Sequence, residues 1–192
     1  AGFPHIFNDK FFNLSKHGLI NLHAGKVPKY RGGSPLNWQI INDEKQIGVS
    51  VLKVNSKIDA GDIICSSTFK NIKSDTIKEI HDKANKLFIK LTFEALNKIT
   101  NKVKFKKQAN IKSYYYQRND NNSKINWHQS NNTVYNFVRA LTYPYAGAYY
   151  LIKNKKYRIF KCKQSKLNPK LSSGVIFKRS SNKRMFIKCK KN

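Results

Sequence analysis

The sequence is short of acid. Its 38 Lys and Arg face only 10 Asp and Glu, and after Asp120 neither acidic residue occurs again. Clustered Lys and Arg displace counterions from nucleic acids or bind anionic substrates, so a phosphate-bearing partner fits this balance. Lys, Asn and Ile are also abundant together, as AT-rich coding produces, so the formal charge of +28 has a second reading as compositional bias. Cysteine is scarce too. Cys65, Cys162 and Cys189 are odd in number, widely spaced and without a CxxC, which excludes a disulfide framework and a zinc site and leaves ordinary apolar thiols. No apolar run approaches the ~18 to 20 residues of a membrane helix, and nothing at the start resembles a signal peptide, so the expected location is cytoplasmic, off the membrane. There is no initiator Met, the only Met being Met185, and the chain opens in "AGFPHIF" and closes in "MFIKCKKN", both mid-pattern; a fragment is the expectation.

The apolar share of 40% and aromatic share of 12% belong to a folded protein, and 192 residues suffice for one sizeable core or two small ones. Residues 18–23 form a short apolar run, read as a buried strand. "SPLNWQIIN" (34–42) reads as a short helix after a Ser-Pro start. Two strands are predicted at 47–54 and 62–70, joined by the turn "NSKIDAG". From Asp75 onward Ile77, Ile80, Ala84, Leu87, Phe88, Leu91, Ala95 and Ile99 keep helical spacing behind a Thr76–Glu79 capping box. Residues 101–124 turn polar, apart from Tyr114–Tyr116, and read as a linker. Beyond it a short helix at 133–141 and strands at 147–153, 156–162, 173–179 and 184–189 suggest a small β-barrel or sandwich. The organisation expected is therefore an α/β part over 1–100, a linker over 101–124 and a β domain over 125–192.

Side chains at i and i+2 of a strand share a face, so Asn21 and His23 project together while Leu22 points away. At the end of a strand in an open α/β sheet that face opens on the crevice where ligands bind. An amide that can donate hydrogen bonds beside an imidazole that can move protons makes an acyl-transfer pair. Asp59, in "KIDAGD", is the leading third group, with Asp62 equally placed by sequence and suited to turn hydrogen bonding. On spacing alone, an Asn-x-His at a strand end is more often structural. His17, His81 and His128 are poorer candidates: a polar turn, the long helix, and a position beside Trp127.

"INLHAGKVPKYRGGSPLNW…IGVSVLKVNSKIDAGDII" resembles the signature of the folate-dependent formyltransferases: Asn-x-His, then a Pro and an Arg-Gly turn, then Asp-x-Gly, here beginning at Asp59. "INWHQSNNTVYNFVRALTYPYAGAYYLIKNKKYRIFKC" is similar to that family's C-terminal OB-like domain. The family includes methionyl-tRNA formyltransferase and sugar N-formyltransferases such as UDP-aminoarabinose formyltransferase. The resemblance implies a partial Rossmann-like α/β domain with a parallel sheet, followed by an OB-like β-barrel. It implies a catalytic trio at Asn21, His23 and Asp59. Contacts to the pterin of 10-formyltetrahydrofolate would fall on His5, Ile6, Phe7 and on Asn55, Ser56, Lys57, Ile58 and Asp59; no metal is implied. This chain departs from the pattern at "GKVP", where Lys26 takes a usually apolar position, and at Pro144–Gly147, where a Trp-Pro pair is frequent; the family's first βα units and last barrel strands have no counterpart here. The reaction implied is formyl transfer to a primary amine. "PKYRGGSPLNW" is nearer to the sugar-nucleotide branch, which slightly favours an amino sugar as acceptor; the basic C-terminal domain suits the alternative, Met-tRNA. A third reading is a non-catalytic RNA-binding module, with Tyr114 to Tyr116 for stacking.

Overall fold

The computed structural model describes residues 11, 14–110, 114–165, 167, 170–178 and 185–190. Three strands form the first sheet: β1 (Ile20–His23), β3 (Gln46–Lys53) and β4 (Ile63–Lys70), in the order β1-β3-β4 with both pairings antiparallel. The parallel sheet that the resemblance implies is not what these strands make. Residues 54–62, which join β3 to β4, are too few for the helical crossover that parallel strands require, so the chain turns straight back as a hairpin.

β3 is central and buried on both faces from Ile47 to Leu52. Ile47, Val49 and Val51 form one core with Ile77, Ile80, Ala84, Leu91 and Ala95 of α2 (Ile77–Thr100). Each Ile, Val or Leu among them taken from water contributes about 1.5–3 kcal/mol before entropy is set against it. The helix starts where its cap dictates: the Thr76 hydroxyl accepts from the Lys78 N–H at 3.3 Å and the Glu79 carboxylate from the Thr76 N–H at 2.8 Å. α1 (Pro35–Ile41) is tied to β3 by the fully buried Gln39, which accepts from the Gly48 N–H at 2.7 Å and donates to the Gly48 carbonyl at 3.1 Å.

The polar segment after α2 lies along the first sheet's side of the molecule. Its two-residue strand β5 (Tyr114–Tyr115) runs parallel to β2 (Arg31–Gly32), a pairing the sequence did not announce. Aromatic contact decides it. Tyr115 stacks on Tyr30 with ring centres 5.0 Å apart, Tyr116 meets Trp38 edge-on at 4.8 Å, and the Trp38 indole N–H donates to the Tyr116 carbonyl at 3.0 Å. Arg118 then lies between Trp38 and Phe137, 4.7 and 5.1 Å from their ring centres.

α3 (Asn131–Leu141) packs on α1 and heads a second core of Ile125, Val134, Val138, Leu141 and Ala148. β6 (Ala148–Ile152) pairs with β7 (Lys155–Ile159), and β8 (Ile176–Lys178) with β9 (Met185–Ile187), each antiparallel. A closed barrel needs every strand paired along both edges. Among the described residues these hairpins gain only isolated bridges, Lys124 to Tyr149 and Ser130 to Lys190, so the expected barrel is not formed by them. Burial raises the thiols of Cys65 and Cys162 to about 11, leaving both protonated at neutrality. No helix among the described residues is long and apolar enough to cross a membrane.

Candidate active site

β1 delivers Asn21 and His23 to one face, opposite Leu52 and Ser50 of β3. The 54–62 turn then carries Asp59 back over that face. The Asn21 side-chain amide donates to Asp59 Oδ1 at 3.0 Å, and His23 Nδ1 stands 3.4 Å from Asp59 Oδ2. The same Oδ2 accepts the Gly32 backbone N–H at 2.9 Å. One carboxylate thus gathers an amide, an imidazole and a backbone N–H. The cluster is secluded, with His23 6% and Asp59 11% exposed, which strengthens each polar contact by excluding water.

The other imidazole nitrogen, Nε2, lies 2.6 Å from the Tyr30 carbonyl, so both ring nitrogens face oxygen acceptors. Gly25 makes that possible: a Cβ there would stand 2.4 Å from His23 Nε2 and 2.3 Å from the Tyr30 oxygen. Gly32, at φ 92°, takes a conformation other residues avoid, and in it aims its N–H at the carboxylate. Asp59 itself has φ 47°, the left-handed region where Asp and Asn are tolerated best.

Tyr30, Gly25 and Gly32 were not singled out from the sequence, although the Gly-rich turn that follows His23 was the available signal. Of the other expected site residues, Asn55, Ser56, Lys57 and Ile58 form the exposed outer part of the turn that carries Asp59, with Asn55 Oδ1 accepting the Lys57 N–H at 3.0 Å. His5, Ile6 and Phe7 lie outside the described residues. Asp62 contributes its carbonyl to the Lys53 N–H at 2.9 Å, within the hairpin. His17 sits in an exposed turn, His128 is exposed beside Trp127, and His81 Nε2 is 3.0 Å from the Tyr145 hydroxyl, all away from the cluster. Among the described residues no group of three or more His, Cys, Asp or Glu could hold a metal.

Comparison with known families decides where the chain belongs. Residues 1–96 match the model for "Formyl transferase" and residues 118–192 the model for "Formyl transferase, C-terminal domain". The chain belongs to the formyl transferase family. Within it, the chain is 37% identical over 164 residues to the bifunctional polymyxin resistance protein ArnA of Wigglesworthia glossinidia brevipalpis, covering 83% of this chain and 25% of that protein. It is 31% identical over 178 residues to the methionyl-tRNA formyltransferase of Malacoplasma penetrans, covering 92% of this chain and 56% of the relative. Among solved structures, WlaRD, a sugar 3N-formyl transferase crystallised in the presence of dTDP and 5-N-formyl-THF, superposes with a TM-score of 0.66 at 27% identity over 84% of this chain and 58% of that one. The N-formyltransferase of Helicobacter canadensis gives 0.70 at 24% identity, covering 89% of this chain and 62% of that one, a likeness of fold. The chain therefore spans from a quarter to about three-fifths of the lengths of these relatives.

Proposed function

We propose that Asn21, His23 and Asp59 form the reaction centre of a formyltransferase that moves a formyl group from 10-formyltetrahydrofolate to a primary amine. The observation that carries this reading is the single secluded carboxylate holding an amide and an imidazole side by side. The amine nitrogen bonds to the formyl carbon while the bond from that carbon to N10 of the folate breaks. N10 takes up a proton and the amine loses one, so the products are tetrahydrofolate and the N-formyl amine. Asn21 gives one N–H to Asp59 and retains a second for the oxyanion that develops on the formyl oxygen. His23 reaches the reacting atoms by giving up the Tyr30 carbonyl, and Asp59 orients the ring and receives the proton that the amine sheds. The exposed turn from Asn55 to Ile58 is where the pterin would lie, against Ile58.

For the acceptor we favour a nucleotide-linked amino sugar. Support comes from the aromatic wall beside the cluster, where Tyr30 stacks on Tyr115, Tyr115 meets Trp38 at a tilt and Trp38 meets Tyr116 edge-on, and Tyr116 keeps 56% of its surface exposed, a face on which a base can stack. The helicobacterial structure was solved with folinic acid and dTDP-3-aminofucose. Met-tRNA is the second reading, supported by the methionyl-tRNA formyltransferases among the relatives and by the absence of acid after Asp120. The full chain is to be mixed with 10-formyltetrahydrofolate and either a dTDP-linked amino sugar or Met-tRNA, following tetrahydrofolate release and the product mass. Formylation of the sugar alone is expected; formylation of Met-tRNA alone reverses the choice of acceptor, and transfer to neither overturns the reaction.

A further inference from the structure

The proposed reaction needs Asp59 held in an unfavourable conformation, and the side chain that holds it comes from far along the chain. The Gln108 amide nitrogen donates to the Asp59 carbonyl at 2.9 Å and to the Gly61 carbonyl at 2.6 Å. Its oxygen accepts the Arg31 Nε–H at 3.0 Å, and the Arg31 guanidinium also donates to the Ala109 carbonyl at 3.2 Å. Arg31 is buried and immediately precedes Gly32, the residue whose N–H binds the Asp59 carboxylate. One amide group thereby grips both sides of the contact: the backbone of the turn that presents the carboxylate and the strand that receives it.

We propose that Gln108 is a positioning residue for formyl transfer, fixing the Asp59 carboxylate against Asn21, His23 and the Gly32 N–H. This rests on the reading of Asp59 given above. A non-glycine residue at φ 47° is kept there only where its surroundings over-determine it. Two N–H donors and one acceptor on a single planar group meet that need; Glu lacks the donors, and an apolar side chain lacks all three. The register is set just upstream, where Ile63 and Lys106 exchange backbone hydrogen bonds of 2.8 and 3.1 Å, placing residue 108 over the turn. Part of the polar segment expected to be a linker is thus built into the site.

Two variants test it. Gln108→Glu keeps the volume and the acceptor for Arg31 but loses both donors; Gln108→Ala removes the group. Should the alanine variant fail to fold, the isosteric variant carries the test. The readout independent of catalysis is the Gly32 amide, whose NMR resonance and hydrogen exchange report the Asp59 carboxylate. We expect that amide to shift and to exchange faster in both variants, as in Asp59→Ala. Turnover should fall on the order of 10- to 100-fold with KM for the folate nearly unchanged, the cost of misplacing a reacting group by a fraction of an ångström. In an Asp59→Asn background the same change at Gln108 should add little, because both act through one carboxylate. An unmoved Gly32 amide, with turnover per folded molecule intact and only the melting temperature lowered, overturns the proposal. A wild-type chain that transfers no formyl group refutes the reading of the reaction in that arm alone, and the Gly32 amide then still decides whether Gln108 holds Asp59.

Discussion

At the scale of single residues, the site is one carboxylate with three donors arranged about it, so its members fail in different ways. Asn21→Ala removes one proposed oxyanion donor and should lower turnover by on the order of 10²- to 10³-fold with little change in folate affinity. Asp59→Asn preserves shape and tolerance of φ 47° but sets an NH2 donor where one carboxylate oxygen accepts, so a loss there measures the charge and one acceptor, apart from packing. Gly25→Ala touches no substrate, yet its methyl would collide with the His23 ring and the Tyr30 carbonyl; it should depress turnover as severely as His23→Ala while also lowering the melting temperature. Turnover and thermal unfolding measured on the same samples separate these outcomes: wild-type turnover in folded Asn21→Ala protein ends the assignment of that residue.

Among the elements, α2 carries the first core and its start is a defined interaction. The Thr76 hydroxyl and backbone hold the Glu79 carboxyl below the usual carboxylate range, so the cap is intact above about pH 4.5 and is lost as the pH falls through the lowered value. Thr76→Ala should cost about 1 kcal/mol at neutral pH, read from urea unfolding, and the difference from wild type should shrink in acid. The same helix meets the Tyr143–Tyr145 turn through His81. Burial holds this imidazole below its ordinary value, so the unfolded chain binds the proton first; stability is full above about 6.5 and declines as the pH falls below that. His81→Gln should flatten the slope of melting temperature between pH 7.5 and 5.5, and an unchanged slope would assign it to other groups.

Across the whole molecule, one buried guanidinium joins the two cores. Arg139, 4% exposed on α3, donates to Asn136 Oδ1 on its own helix at 2.9 Å and, from the β4–α2 connection, to Asn71 Oδ1 at 3.0 Å and the Asp75 carbonyl at 2.8 Å. Lys73, on the same connection, pairs with Asp43 and Asn132 beside it. Arg139→Leu keeps the site apolar but strands four acceptors, the Ile72 carbonyl at 3.3 Å being the fourth, so it should lower stability by about 3 kcal/mol. Calorimetry should also show a broader transition as the two cores lose their coupling; a single sharp transition at the wild-type temperature would show that α3 is held by packing alone.

The local features were legible because they depend on neighbours in sequence. A short apolar run, alternation and helical spacing located β1, β3 and α2 to within a few residues, with β4 and α3 read beside them, and Thr76 and Glu79 marked where α2 begins. Asn21 and His23 share a face for the same reason: the strand's own pleat puts them there. The rest was settled by contacts between distant segments, which leave no periodic trace. Nothing near residues 31 or 114 announces the β2–β5 pairing, because the stacking of Tyr30 on Tyr115 that selects it brings together rings far apart along the chain. The antiparallel order of the first sheet followed from the length of one connection rather than from strand composition, and the segment read as a linker from its polarity proved to use that polarity inward, on Arg31, Asp59 and Gly61. Sequence chose the chemical groups of the site; only the tertiary structure set them within hydrogen-bonding distance, since distance between remote residues is fixed by packing and not by local propensity.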